Sequence, residues 1–243
     1  MSPRVLGLIV ARGGSKGVPR KNLRRIAGLS LVGYKARAAL GSGCCTRLIL
    51  SSEDAEILEE GRRHGAETPF VRPAELASDE ASSNDVVLHA MDAVEAEEGR
   101  PYDAVLLLEP SSPFATPADL DRAVEVYVRH RASLVVGVRD VKVHSSFVGP
   151  LRPDGRADRI VSKFAGRAAL RRQDMEPEHT MNGAFYLVDW QAMRRHRRIY
   201  GDPETVWGVP MDEVHSLEID TPLDLALAEL VVERGLLDLS PWQ

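Results

Sequence analysis

An α/β fold with a mainly parallel central sheet flanked by helices is what this 243-residue chain predicts. Short apolar runs recur along it, each bounded by glycine or polar residues. Helical patterns of about 10–15 residues separate those runs, which is the grammar of βαβ units. The first run ends in a glycine-rich polar loop, and sheets of this kind bind ligands at the carboxyl ends of their strands.

Val5–Ala11 reads as the first buried strand, and a helix follows near Ser30–Leu40. Leu48–Ser51 is the next strand, before an acidic helix from about Asp54 to His64. A short strand is expected near Thr68–Val71, then a polar loop and a helix starting at Ser82 or Ser83. Ala104–Leu108 is a further buried strand, with a helix from Pro117 and another strand over Leu134–Val138. The segments Thr116-Pro117-Ala118-Asp119 and Thr221-Pro222-Leu223-Asp224 each combine a capping Thr, Pro at the first helical position and Asp at the third. Both carboxylates are read as helix caps. Periodicity fails over residues 142–181, which are read as an inserted arm within a single domain spanning 1–243. Gly183–Val188, a helix near Trp190–Arg197, a closing strand near Ser216–Asp220 and a last helix complete the chain.

Thirty-one Lys and Arg against 36 Asp and Glu leave a formal net charge of −5. That balance argues against nucleic-acid binding, which needs a basic stripe to displace counterions. No apolar run approaches the ~20 residues of a membrane span. The opening residues lack a basic stretch and lead into glycines, as a strand does and a signal peptide does not. Cys44 and Cys45 are adjacent and are the only cysteines, so no disulfide framework or zinc site is expected. A soluble cytoplasmic protein is the expectation.

Residues 11–22, Ala-Arg-Gly-Gly-Ser-Lys-Gly-Val-Pro-Arg-Lys-Asn, carry three glycines, a serine and four basic side chains directly after the first strand. Glycines let amides turn toward a ligand, and clustered cations neutralise several negative charges. A polyphosphate is the natural ligand. The spacing is neither that of a P-loop nor that of the dinucleotide fingerprint.

This string resembles the nucleotide-binding loop of the CMP-sialic acid synthetase (acylneuraminate cytidylyltransferase) family. The resemblance continues through Arg72-Pro73-Ala74-Glu75-Leu76-Ala77-Ser78-Asp79, Pro110-Ser111-Ser112-Pro113, Arg172-Gln173, Asn182-Gly183-Ala184-Phe185-Tyr186 and Ile219-Asp220-Thr221. It implies a Rossmann-like nucleotidyltransferase fold with a small dimerisation arm, and hence a homodimer. It also implies a Mg²⁺-dependent reaction that joins CTP to an acidic acceptor and releases pyrophosphate. Arg12, Lys21 and Asn22 then stand at the reacting centre, with Ala11, Gly13, Gly14, Ser15 and Lys16 around the phosphates. Arg72, Ser83 and the backbone at Ala81 read the cytosine. Glu109, Arg172, Gln173, Asn182 and Tyr186 face the acceptor.

Glu218 and Asp220, one residue apart on an expected strand, put both carboxylates on one face. They repel unless a cation lies between them, and Mg²⁺ typically takes one or two carboxylates together with phosphate oxygens. Asp220 is the firmer candidate ligand and Glu218 its support.

The acceptor end departs from the sialate pattern. Glu109 stands where sialate enzymes usually have Gln, and Ser112-Pro113-Phe114-Ala115 lacks the Arg that often follows. The aromatic pair that covers the N-acyl group is not evident. The basic run Arg194-Arg195-His196-Arg197-Arg198 and Arg172 offer guanidinium forks suited to phosphonate oxygens. The family's wider relatives include enzymes that put CMP on small phosphonates, so the acceptor that this resemblance favours is a small phosphonate such as phosphonoformate. A nonulosonate such as N-acylneuraminate is the alternative, and a non-catalytic nucleotide-binding protein is a more distant one.

Overall fold

The computed structural model describes residues 2–164 and 176–243. Its main sheet has six strands: β1 (Val5–Val10), β4 (Arg47–Ser51), β5 (Ala104–Leu108), β6 (Leu134–Asp140), β7 (His179–Asp189) and β8 (Val206–Pro210). They lie in the order β4-β1-β5-β7-β6-β8. Only β7 runs against its neighbours, so the mainly parallel expectation holds. A two-residue ladder of β2 (Arg25–Ile26) and β3 (Leu29–Ser30) sits apart.

Alternate side chains of the central strands enter two separate cores. Val5 and Ile9 of β1 pack with Leu106 and Leu108 beneath helices α1 (Leu31–Ser42), α4 (Pro117–His130) and α7 (Pro222–Glu233). Leu6 and Leu8 pack with Val105 and Leu107 beneath α3 (Ser83–Glu98) and α6 (Trp190–His196). A strand covered on both faces reads as an unbroken apolar run, which is why these were legible. Helix α2 (Ala55–Arg63) starts on the Asp54 side chain, which accepts from the amides of Glu56 and Ile57. Capping boxes at Thr116/Asp119 and Thr221/Asp224 open α4 and α7 as read.

Two expected strands are not formed. Residues 68–71 make no ladder, because contact with β4 stops at one bridge between Ile49 and Glu67, and Pro69 has no amide to donate. Residues 216–220 cross the ends of the strands instead of lying beside one. Their tie to the strand-end loops is the Ile219 amide, which donates to the Ser111 carbonyl at 2.7 Å. The edge strand β8 was not expected: Gly208 and Pro210 interrupt its pattern, and edge positions tolerate both. The region 142–181 holds a one-turn helix α5 (Asp158–Val161), and its last residues already belong to β7. Among the described residues no helix is long and apolar enough to cross a membrane.

Candidate active site

The loops after β1, β4 and β5 converge on a cleft of about 500 Å³ at the carboxyl ends of those strands. Arg12, Ser15, Lys16, Gly17, Lys21 and Asn22 line one wall; Arg72, Ala81 and Ser83 line a second. Glu109, Glu218 and Asp220 line the third. The cationic loop near the start of the chain and the acidic pair near its end therefore share one space.

Their approach is very close. A Cβ on Gly17 would lie 2.0 Å from the Asp220 carbonyl oxygen, so only glycine lets the two backbones touch here. Beside that contact Lys21 Nζ donates to Asp220 Oδ1 at 2.9 Å. Lys21 is held by a 3-10 turn over Lys21–Leu23, entered through Arg20 at φ 55. The buried Asn22 spends its amide on the Arg12 carbonyl at 2.9 Å, fixing the loop from behind.

Glu53, which the sequence did not single out, holds a fork. One oxygen accepts from the Gly13 amide at 2.7 Å and the other from Arg72 Nη2 at 2.7 Å. The same Arg72 nitrogen donates to the Ala11 carbonyl at 2.8 Å. Arg72 is 3% exposed and its Nε has no partner, so one buried donor is left over beside the cleft. Gly14 stands open, with no heavy atom near the place a Cβ would take. The cap of α3 is Ser82, whose side chain accepts from the Asn84 amide, so Ser83 is spared that duty and lines the cleft.

Asp79 also lacked a signal of its own. It bridges both cations, with Arg12 Nη1 at 2.9 Å and Lys16 Nζ at 2.7 Å. The Lys16 and Arg12 donors hold its carboxyl below the ordinary range. One carboxylate thus serves both loop cations at the mouth of the cleft.

Burial and the neighbouring Asp220 raise the Glu218 carboxyl above its usual value. Burial and then Glu218 do the same for Glu109. Three crowded carboxylates facing Lys21 form a wall short of positive charge. The residues fit a divalent cation, since Glu218 and Asp220 supply hard oxygens and phosphate would supply the rest. Among the described residues no three His, Cys, Asp or Glu side chains cluster as a protein-only metal cage. The extended run of 216–220 brings both carboxylates to the cleft, although the strand that was expected to align them is absent.

The acceptor candidates divide. Tyr186 stands at 6.0 Å and 84° to Tyr200, an aromatic pair the sequence had not revealed because the partners lie on separate elements. Burial, Tyr200 and Glu109 raise the Tyr186 hydroxyl. Asn182 is not a cleft residue. It is 1% exposed, donates to Ser216 Oγ at 2.9 Å and accepts from the Ala184 amide at 3.1 Å. It braces the irregular turn of β7 at Gly183, φ 66, where a Cβ would press on Ser112 and Glu218. Of the basic run, Arg194 is spent on Asp92 and on Glu95, the latter at 2.6 Å, and Arg197 is the left-handed cap of α6. That run does not line the cleft. Arg172 and Gln173 lie outside the described residues.

Residues 6–182 match the family model described as Cytidylyltransferase. CMP-N,N'-diacetyllegionaminic acid synthase of Legionella pneumophila is 29% identical over 95% of this chain and 97% of its own length. Pseudaminic acid cytidylyltransferase of Campylobacter jejuni is 30% identical over 93% of this chain and 95% of its own. Among solved structures, CMP:2-keto-3-deoxy-manno-octonic acid synthetase complexed with CTP superposes with a TM-score of 0.70 at 13% identity. That superposition covers 96% of this chain and 99% of the other, and it establishes the nucleotidyltransferase fold.

Gly17→Ala tests the contact between the chain's two ends. The added methyl must push the loop off Asp220, with a stability loss of about 1–3 kcal/mol. Thermal unfolding reads that loss, and steady-state kinetics should show kcat falling at least about tenfold as Lys21 and the acidic pair separate. Unchanged kcat would mean that the contact does not shape the reacting geometry.

Proposed function

Because the chain belongs to the acylneuraminate cytidylyltransferase family, we propose that it transfers the cytidylyl group of CTP to a nonulosonic acid and releases pyrophosphate. The observation that carries this reading is the single cleft in which the Arg12–Asn22 loop faces Glu218 and Asp220.

An acceptor hydroxyl oxygen attacks the α-phosphorus, and the bond to the oxygen bridging to the β-phosphorus breaks. Little covalent work falls to the protein, so positioning and charge stabilisation supply the rate. Arg12 and Lys16 hold the phosphates after exchanging Asp79 for them. Lys21, pinned near the middle of the cleft by Asp220, faces the negative charge that grows toward the leaving group. Asn22 keeps the Arg12 backbone in place. The Ala81 backbone and the Ser83 hydroxyl meet the cytosine edge, on a wall that Arg72 fixes through Glu53 and the Ala11 carbonyl. Asp220 and Glu218 would hold Mg²⁺, which when bound supplies positive charge to the triphosphate oxygens.

The sequence alone favoured a small phosphonate. Two observations move the acceptor to its alternative. Relatives that match nearly end to end are named for legionaminic and pseudaminic acids. The edge-to-face Tyr186–Tyr200 pair, near enough to Glu109 and Glu218 for their charges to act on Tyr186, also offers ring surface that suits a large substituted sugar better than a compact anion. Nothing in the comparisons supports the phosphonate.

A homodimer through the arm belongs to the same reading. Val143, Val148, Leu151 and Val161 each keep more than half of their surface exposed there, which is costly apolar area for a free monomer. Light scattering should give twice the 26.7 kDa chain mass, and Leu151→Glu with Val161→Glu should return it to one. A wild-type monomer at micromolar concentration would defeat this part.

Wild-type protein with CTP and Mg²⁺ should form CMP conjugates, detected by mass, with nonulosonic acids. Turnover of phosphonoformate alone would overturn the acceptor. Replacing Asp79 by Asn frees both cations, so the KM for CTP should fall about threefold, the modest scale of an exposed pair. A rise in that KM would show that Asp79 helps to orient the nucleotide and does not compete with it.

A further inference from the structure

The chain's only two cysteines, Cys44 and Cys45, lie where α1 ends and the backbone turns toward β4. Gly43 makes that turn as the left-handed cap of α1, φ 64. Ser42 fixes the first of them: its Oγ accepts from the Cys44 amide at 3.2 Å and stands 3.0 Å from the Cys44 sulfur. The second is seated against the middle of β1, with Cys45 Sγ 2.8 Å from the place a Cβ on Gly7 would take. Glycine inside a strand weakens it and often marks a close approach. Here the space it leaves is filled by that sulfur. The two sulfurs stand 3.7 Å apart, both half-buried, and both line an open hollow of about 1080 Å³ between the end of α1 and α4. The Thr46 amide donates to the Val5 carbonyl at 2.8 Å, so the pair sits at the amino ends of β1 and β4. The cleft opens at the other ends, five residues of strand and so about 17 Å away.

A direct bond between these sulfurs is disfavoured. Neighbouring Cα atoms lie about 3.8 Å apart across a trans peptide, short of the ~4.4 Å at which ordinary disulfides begin. A third atom between the sulfurs fits better. Placed about 2.3 Å from each, the length of a zinc–thiolate bond, it would see them at roughly 107°, close to tetrahedral. A centre that wants two opposed thiolates would need them about 4.6 Å apart. Zinc would need further protein ligands, and among the described residues no three His, Cys, Asp or Glu side chains are grouped to supply them. What suits the pair is a thiophilic atom of pyramidal geometry that brings its own third substituent. Val124 and Val128 of α4 line the same hollow and offer that substituent an apolar surface.

We infer that Cys44 and Cys45 form a dithiol site for a trivalent organoarsenical, held by both sulfurs with its organic group against α4. The reaction is a condensation. Two arsenic–sulfur bonds form, the bonds from arsenic to its oxo oxygen break, and both thiol protons leave with that oxygen as one water. Arsenic stays trivalent, so no oxidant or reductant is consumed. The site lies outside the cleft and is independent of the transfer reaction.

Intact-mass measurement of the reduced full chain with phenylarsine oxide tests this. Wild type should gain one phenylarsenic unit with loss of one water, and a small dithiol should remove it where a monothiol does not. The absence of uptake would overturn the site. Cys44→Ser and Cys45→Ser should each weaken the adduct by at least about a hundredfold, the advantage of making the second bond within one molecule. A smaller loss in either variant would show that one thiol suffices and would overturn the inference. Should the serine variants not fold, X-ray absorption at arsenic in the wild-type adduct decides the matter. Two sulfurs on one arsenic support the site, and a single sulfur overturns it.

Discussion

Contact between the Gly17 backbone and the Asp220 carbonyl is the constraint on which the rest of the cleft hangs. It closes the chain on itself beside an ion pair 199 residues apart in sequence, Lys21 with Asp220. Neither end can build a phosphate site alone. The loop brings cations and amides but no carboxylates for a metal, and the 216–220 segment brings carboxylates but no cations. The strand ends set both at one level, and a residue without a side chain lets them meet. Ties behind the cleft serve the same closure: Glu53 clamps the loop to Arg72, and Asn182 clamps β7 to Ser216.

Much of this was legible from residue order because the chemistry is local. A loop that combines three glycines with Arg12, Lys16 and Lys21 after an apolar strand predicts a place at the strand-end cleft, where it stands, and the central strands announce themselves by burial on both faces. What escaped was nonlocal or disguised. Residues 216–220 alternate like a strand, yet pass over strand ends where no neighbour is free to pair. β8 hides behind Gly208 and Pro210. Tyr200 lies beyond α6, and its pairing with Tyr186 exists only once β7 and that helix have folded back. Glu53 and Asp79 look like ordinary surface acids until their cationic partners are in place. Asn182 was expected to face the acceptor, yet it is buried and its amide bonds Ser216 and Ala184.

The acceptor end shows how a single substitution is read differently in one dimension and in three. As a lone letter, Glu109 signals departure from a sugar-binding pattern. Within the fold it shares the cleft with Glu218 and Asp220, and burial together with the Glu218 charge raises its carboxyl. The Tyr186–Tyr200 pair stands edge to face on two separate elements, and the Glu109 and Glu218 charges act on the Tyr186 hydroxyl.

Asp79 carries a consequence for the speed of encounter. By bridging Arg12 and Lys16 its single negative charge offsets one of their two positive charges in the field that the cleft projects into solution. Long-range attraction of a polyanion scales with that exposed field and is quenched by salt. Nucleotide association should therefore depend less steeply on ionic strength than two unopposed cations at that point would make it.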